Sequence, residues 1–264
     1  MKLWEPARLR IYLTGAVCIE AGGRPVGESQ FGSRQGRLVF AHLVCERMRP
    51  VTRDELAEVV WLDMLPPAWE VALSALVSKL RNLLRSTGLP PQAASISGYF
   101  GHYQMHLPAD TWVDVEAAAQ AIDEAEGALR AGALQRAWGP ANVAVIIARR
   151  PFLSGEEGVW VESQRTKLEQ LLVRGLDCLS EISLRNREGS LAVQYASEAV
   201  GLEPFRETGY QRLMCAHATQ GNRAEALRAY ERCRKLLAEE LGTDPSPETE
   251  ALYLHLLRLP SPAS

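Results

Sequence analysis

The chain has 264 residues, of which 47% are hydrophobic and 23% are charged, and its formal net charge is −3. This composition fits a soluble protein of two ordinary domains and excludes a polycation or a low-complexity chain. Five scattered cysteines without a Cys-x-x-Cys pair argue against a zinc site and a disulfide framework, and they favour a reducing, cytoplasmic location.

Basic and acidic residues are distributed unevenly along the chain. Residues 1–110 carry 12 Lys and Arg against 10 Asp and Glu, whereas residues 111–264 carry 17 against 22. The slight basic excess of the first part permits a nucleic-acid-binding face there. The longest apolar stretches fall short of the ~18 residues that a membrane span needs, so no membrane partner is expected.

The first predicted elements are strands followed by a helix. Residues 9–19 alternate in polarity, and Gly22-Gly23 marks a turn before Arg24-Pro25-Val26, which predicts a short hairpin or meander. Ser33 then caps a helix that stops near Pro50, because the residue before a proline avoids helical geometry. The apolar face of that helix consists of Leu38, Ala41, His42 and Cys45.

Two further helices and a second hairpin follow. Thr52 opens a short helix, since Glu55 stands three residues later as in a capping box. A longer helix is predicted from Ala68 to Ser86, and residues 95–107 indicate two strands around a glycine-containing turn. The long helix has one apolar stripe, formed by Leu73, Val77, Leu80 and Leu84. This order of elements is typical of a winged helix-turn-helix.

From Asp114 onward the pattern is helical throughout. One helix is predicted over residues 115–131, Gly139-Pro140 is expected to break the next, and a long helix runs from about Val159 to Arg185.

Residues 192–196 match residues 226–230 at an offset of 34, which is the period of tetratricopeptide helix pairs. A final capping helix would bury Leu252, Leu256 and Leu257. The patterns therefore predict a mainly α protein, with an α+β winged helix-turn-helix in residues 1–110 and all-α helical repeats in residues 111–264.

Several motifs are shared with one family of regulators. In the first part they are Arg49–Leu56 with Trp61, and Val77–Arg81; in the second they are Arg150–Leu153, Trp160–Glu162 with Arg165, Gly221–Leu227 and Glu240–Glu248. Through these motifs the chain resembles the antibiotic regulatory proteins, the SARP family. In that family a winged helix of the response-regulator effector type precedes a bacterial transcriptional activator domain.

The resemblance implies a transcriptional activator that binds tandem promoter repeats and recruits RNA polymerase. Its partners would be double-stranded promoter DNA and RNA polymerase, with a homodimer on DNA, and no cofactor or metal is implied. The sequence contains no G-x-S-x-G, phosphate loop, G-x-G-x-x-G or H-E-x-x-H pattern, so an enzyme is not expected.

Candidate DNA contacts lie on the third helix. Ser74 and Ser78 could reach base edges, while Lys79 and Arg81, with Asn82 beside them, could hold phosphates or a guanine edge. An ordinary solvated helix face is the competing interpretation.

Other candidates surround that helix. Arg34 and Arg37 lie at the start of the first helix, where positive charges oppose the helix dipole. Contact with a phosphate, or simple solvation, would explain basic residues at these positions. Trp61 would offer its indole N–H to a phosphate, as the family implies, or pack in the core. His102 could touch DNA at the wing, and the adjacent Glu156-Glu157 pair is expected to be solvated.

Two alternatives stay open. Glu70, Val71 and Leu76 replace basic and polar residues that are common in the third helix of the family, so the winged helix could instead be a protein-docking or ligand-sensing module. The helical repeats could also bind an unknown small-molecule effector, although such repeats more often bind peptides.

Overall fold

The computed structural model describes residues 9–62, 64–90 and 93–258. By its internal contacts the chain forms two compact units. The first combines the described residues up to Ala117 with Arg150–Leu168, and the second combines Ala118–Arg149 with the described residues from Glu169 onward. Helices predominate and the sheets lie in the first unit, which confirms the predicted fold class. The division of function at residue 110 stays a prediction.

The first unit begins with a sheet in the order β3-β2-β1-β7. Its strands are β1 (Leu9–Tyr12), β2 (Cys18–Ala21), β3 (Arg24–Val26) and β7 (Trp112–Val113). The first three form the predicted antiparallel meander. Strand β7 was not predicted; it pairs with β1 in parallel and places Val113 beside Ile11.

The winged helix-turn-helix follows in the predicted order. Its elements are α1 (Arg34–Cys45), β4 (Val51–Thr52), α2 (Arg53–Trp61), α3 (Trp69–Ser86), β5 (Ser95–Tyr99) and β6 (His102–His106). Both predicted caps are made, because Ser33 Oγ accepts from Gly36 N–H at 3.1 Å and Thr52 Oγ1 accepts from Glu55 N–H at 3.0 Å. Strand β4, which was not predicted, joins β6 and β5 in a second sheet.

The core of the first unit uses the predicted apolar faces. All four stripe residues of α3 are buried, and so are Leu38, Ala41 and His42 of α1, whereas Cys45 is half-buried. Burying side chains of this size stabilises the fold by about 1.5–3 kcal/mol each. Helix α1 is buried on every side from Leu38 to Val44, which exceeds the single apolar face predicted for it, so α3 has the outer face that is available for binding.

Residues 150–168 join the first unit through the connection between β1 and β2. Leu153 N–H donates to the Leu13 carbonyl at 3.1 Å, and Gly15 N–H donates to the Pro151 carbonyl at 2.8 Å. The Asp114 carboxylate accepts from the backbone N–H groups of Leu13, at 2.9 Å, and Thr14, at 2.8 Å. These bonds satisfy backbone groups that would otherwise be buried without a partner.

The remaining elements are helices that read in chain order as α4 (Asp114–Arg130), α5 (Leu134–Ala148), α6 (Val159–Arg185), α7 (Gly189–Leu202), α8 (Glu207–Thr219), α9 (Arg223–Leu241) and α10 (Pro247–Arg258). The equivalent small residues Ala192 and Ala226 are fully buried, as the 34-residue repeat predicts. In the described chain we find no helix with the length and apolar character of a membrane span.

Two predictions for this part of the chain are wrong. Helix α5 runs through Pro140 without a break. A proline inside a helix costs about 3 kcal/mol, and the burial of four alanines together with Val145 and Ile147 in α5 offsets that cost. In α10, Leu257 is 40% exposed, so Leu256 and the half-buried Leu252 supply the apolar contacts.

Candidate nucleic-acid interface

The outer face of α3 carries small polar and basic side chains. Ser78, Lys79 and Asn82 are exposed, and Ser74 is half-buried. Within the described residues the Lys79 ammonium has no hydrogen bond or ion pair. An exposed and unpaired ammonium group can meet a phosphate without first giving up another partner.

The polar side chains of this face make weak local contacts. Ser78 Oγ donates to the Ser74 carbonyl at 2.8 Å, and Ser74 Oγ lies 3.5 Å from the Tyr103 hydroxyl. Asn82 Oδ1 accepts from Arg85 Nη1 at 3.1 Å. Arg85 was missed as a candidate, although its helical position three residues after Asn82 places it on the same face. The hydroxyl and amide groups remain accessible to the edges of bases.

Arg81 is turned toward the hairpin of β5 and β6. Its Nε donates to the Ile96 carbonyl at 2.9 Å, and its Nη2 would lie 3.2 Å from a Cβ atom placed on Gly98. A side chain at this point of β5 would therefore crowd the guanidinium of Arg81 and the ring of Tyr103. Arg81 thus fastens the hairpin to α3, while its contact with a phosphate or guanine stays a prediction.

The wing, defined as β5, β6 and their turn, presents aromatic side chains. Phe100 and Gly101 form the turn with positive φ values of 44° and 78°, as in a type I′ hairpin. Phe100 is 95% exposed and Tyr99 is half-exposed. His102 Nδ1 lies 2.8 Å from the Phe100 carbonyl, and its ring stacks against Tyr99 with centroids 6.4 Å apart. His102 was a candidate from the sequence and Phe100 was not, although its turn position before a glycine could have indicated it.

Trp61, the last residue of α2, is half-buried. No partner for its indole N–H exists in the part of the chain that the structure describes. That group is consequently free to donate to a phosphate. The predicted contact of Trp61 with DNA remains untested.

Arg34 and Arg37 form ion pairs with Glu156. Arg34 Nε lies 2.5 Å from Oε2 of Glu156, and Arg37 Nη2 lies 2.6 Å from Oε1. The Glu156 side chain is fully buried, so the expectation that it is solvated is wrong. Burial is tolerated because two guanidinium groups compensate the carboxylate. Phosphate contact by Arg34 and Arg37 stays a prediction, and half of the Arg34 side chain remains exposed for it.

Three residues of α3, Glu70, Val71 and Leu76, suggested that the helix no longer recognises DNA, but they do not all lie at its surface. Leu76 is only 6% exposed and belongs to the core, so its apolar character says nothing about base contacts. Glu70 and Val71 lie in the first turn and are exposed. A carboxylate at Glu70 is stabilised by the helix dipole, repels phosphates and can accept a hydrogen bond from cytosine N4.

A metal centre has no support in the described ranges, where no group of three or more His, Cys, Asp or Glu residues converges. His106 lies on the same hairpin as His102, and its Nε2 is 2.9 Å from the Ser97 hydroxyl. Among these residues the face of α3, with the wing beside it, stays the predicted contact with a duplex.

Comparison with known sequences assigns the second half of the chain to a protein family. Residues 113–257 match the family described as "bacterial transcriptional activator domain". The transcriptional regulatory protein EmbR of Mycobacterium tuberculosis is 28% identical over 252 residues, which cover 95% of this chain and 64% of EmbR. The regulatory protein AfsR of Streptomyces coelicolor is 29% identical over 254 residues, covering 96% of this chain and 25% of AfsR. The chain thus spans less than two thirds of the length of either relative.

Comparison with solved structures extends the similarity to the whole chain. The structure of Mycobacterium tuberculosis EmbR in complex with a low-affinity phosphopeptide matches with a TM-score of 0.83 and 26% sequence identity. The match covers 95% of this chain and 65% of the EmbR chain. Both units described above therefore have counterparts in that protein.

Proposed function

The chain belongs to the bacterial transcriptional activator domain family, to which the SARP regulators belong, and on this premise we propose that it is a DNA-binding transcriptional regulator. The observation that carries the proposal is the exposed Lys79 on the outer face of α3, which is unpaired among the described residues, with Ser78 and Asn82 beside it. Winged helix-turn-helix proteins place this face in the major groove.

The residues have separate roles in the proposed complex. Lys79 and Arg85 would neutralise phosphates, and Trp61 would donate its indole N–H to another. Ser78 and Asn82 would meet base edges in the major groove, where each base pair shows a distinct pattern of donors and acceptors. Most of the affinity would then be electrostatic, and sequence preference would come from the small polar side chains.

The mode of DNA binding and the direction of regulation are proposed from the family. We propose that two or more copies bind tandem promoter repeats and recruit RNA polymerase, so that the protein acts as an activator. The names of EmbR and AfsR support regulation in general, and the resemblance to SARP regulators supports activation. The domain boundary near residue 110 is proposed on the same ground.

The test is the salt dependence of binding to the DNA upstream of the gene for this protein. Lys79→Ala should weaken binding and reduce the slope of log K against log salt by about 1, since one phosphate contact is lost. Lys235→Ala is the matched control, because Lys235 is an exposed lysine on α9. If both variants bind DNA as the parent protein does, the proposed surface is wrong.

A second candidate function is a protein-interaction or ligand-sensing module that no longer reads DNA. The exposed Glu70 and Val71 at the start of α3 favour it, since neither side chain attracts a phosphate. A gel-shift assay with pooled genomic fragments at low salt separates the two functions. Retention of no fragment at all would support the second candidate.

A small-molecule effector in the repeats has less support. A cavity of about 320 Å³ in the second unit is lined by charged side chains, among them Glu126, Arg174, Asp177 and Arg212. These groups already pair with one another, as in the 2.8 Å contact between Arg174 Nε and Glu126 Oε1. A ligand there would have to displace existing ion pairs.

A further inference from the structure

A larger cavity, of about 760 Å³, lies within the first unit. One of its walls consists of Glu55, Glu58 and Val59, which lie on one face of α2, and of Leu62, which follows the helix. The other lining residues are His42 of α1 and the segment from Gly158 to Ser163. The volume lies in the range of roughly 300–1,000 Å³ that is typical of small-molecule sites.

A buried imidazole in the cavity wall lacks one hydrogen-bond partner. His42 is almost completely buried, and its Nε2 lies 3.0 Å from Oε1 of Glu55. Burial lowers the pKa of His42 against the opposing effect of Glu55. A neutral ring next to a carboxylate carries its proton on Nε2, which leaves Nδ1 as an acceptor. Nδ1 is buried and has no partner in the described chain, so the cavity wall holds a polar atom that folding leaves unsatisfied.

The lining also carries one uncompensated negative charge. Two nitrogen atoms of Arg49 bind the Glu55 carboxylate, at 2.5 and 2.9 Å, so the charge of Glu55 is neutralised. Glu58 stands one helical turn later, is exposed and has no ion pair within the described ranges. A ligand with a positive charge would therefore find an unpaired carboxylate at Glu58.

The remaining lining residues offer apolar surface. Val159 is 85% exposed and Leu62 is 45% exposed although both line the cavity, and Trp160 lines it beside them. Trp160 meets His42 edge-on, with ring centroids 4.7 Å apart. The π-face of a tryptophan attracts ammonium groups and packs well against aromatic or branched aliphatic groups.

We propose that this cavity binds a small primary amine with an aromatic or branched aliphatic body. The ammonium group donates to the Glu58 carboxylate, and the apolar body packs against Val59, Leu62 and Trp160. Leu62 follows the last residue of α2 as its C-cap, with a φ of 52°, and begins the connection to α3. A bound amine would thus contact the segment that links the two helices of the helix-turn-helix.

The test is isothermal titration calorimetry on the full chain without DNA, so its outcome does not depend on the proposed function. Three amines serve as probes, namely tryptamine, phenethylamine and isoamylamine, and each has a neutral alcohol of the same shape as its control. We expect at least one amine to bind about tenfold more tightly than its alcohol, as a charge-assisted hydrogen bond provides.

Two variants locate the binding. Glu58→Gln should remove the preference of the protein for the amine over the alcohol. Asp54→Asn, at an exposed acidic residue of α2 that does not line the cavity, should retain it. In ¹⁵N spectra the amine should shift the Nδ1 resonance of His42.

Three outcomes overturn the proposal. The first is that none of the amines binds saturably below about 5 mM, a limit that corresponds to very weak association. The second is equal affinity for the amine and its alcohol. The third is an equal loss of binding in Glu58→Gln and Asp54→Asn, because the effect would then come from general charge.

Discussion

Arg37 and Glu156 form an ion pair between residues that are 119 positions apart in sequence, with Nη2 of Arg37 2.6 Å from Oε1 of Glu156. The carboxylate is fully buried and also accepts from Arg34 Nε. The backbone carbonyl of Glu156 accepts from Arg165 Nη2 at 2.8 Å. Glu156 thus holds the start of α1 and the segment before α6 in one unit.

Replacing this carboxylate should destabilise the protein. Glu156→Ala leaves Arg37, a mostly enclosed cation, with only the 4.0 Å contact of its Nε to Oε1 of Glu28, and we expect a loss of about 3 kcal/mol in the free energy of unfolding. Urea denaturation measures the change. Glu157→Ala is the control, because Glu157 is the exposed neighbour and should change stability by less than about 0.5 kcal/mol. Similar losses in both variants would show that Glu156 does not support the fold.

A second ion pair predicts an acid-sensitive contribution to stability. The hydrogen bonds from Arg49, with a further one from His42, lower the pKa of Glu55 from 4.5 to about 2. Since the unfolded chain takes up the proton first, the contribution is complete above pH 4.5 and declines as the pH falls toward 2.

The difference in unfolding free energy between the parent protein and Glu55→Gln should therefore be largest at neutral pH and shrink in acid. Denaturant titrations at several pH values measure it. Arg49→Ala should flatten the same dependence, because it removes the main cause of the lowered pKa of Glu55. A difference that stays constant with pH would contradict the assignment.

Local signals were sufficient to predict much of the fold. Ser33 and Thr52 identified their helix starts because a cap bond joins residues three apart. The buried apolar stripe of α3 could be predicted from helical periodicity alone. The burial of Glu156 could not be predicted, since its partners are over a hundred residues away. Nor could β7, because two residues give no alternation to recognise.

The candidate site was predictable to the level of a helix face and no further. Helical period places Ser78 and Asn82 on the outer side, and they are exposed. It also suggested that Arg81 faces outward, whereas its guanidinium reaches Ile96 in the hairpin. The direction of a long side chain depends on its tertiary partners, and helical periodicity carries no information about them.

A crowded glycine in the second unit gives a prediction about packing. A Cβ atom on Gly175 of α6 would lie 2.6 Å from Cγ2 of Val145. Gly175→Ala should destabilise the protein by about 1–3 kcal/mol, although alanine favours helices. The double variant Gly175→Ala/Val145→Ala should recover part of the lost stability, because it lacks the Cγ2 atom that the new Cβ would meet. Gly201→Ala is the control: a Cβ there meets nothing within 4 Å, so it should stabilise the protein by up to about 1 kcal/mol. Thermal unfolding distinguishes these outcomes.

The turn of the wing gives a prediction about strain. Phe100 is a bulky residue with a φ of 44°, a conformation that asparagine and glycine adopt more easily. Phe100→Asn should raise the free energy of unfolding by about 1 kcal/mol. Phe100→Ala, which also lacks the ring but keeps a Cβ poorly suited to this conformation, should give a smaller gain. An equal effect of both variants would attribute the change to loss of the exposed ring.

Arg81 and Lys79 should affect DNA binding in different ways if their positions on α3 determine their roles. Lys79 is exposed and unpaired in the described chain, so Lys79→Ala should reduce both the affinity and the salt slope. Arg81 Nε is bound to the Ile96 carbonyl, and Arg81→Ala should weaken binding by displacing the wing while leaving the salt slope unchanged.

Hydrogen exchange provides the independent readout for this difference. The amides of β5 should exchange faster in Arg81→Ala, because the hairpin loses its attachment to α3, and they should be unaffected in Lys79→Ala. A salt slope reduced by about 1 in Arg81→Ala, with unchanged exchange in β5, would instead make Arg81 a phosphate contact. The two measurements together decide whether the guanidinium positions the wing or binds the duplex itself.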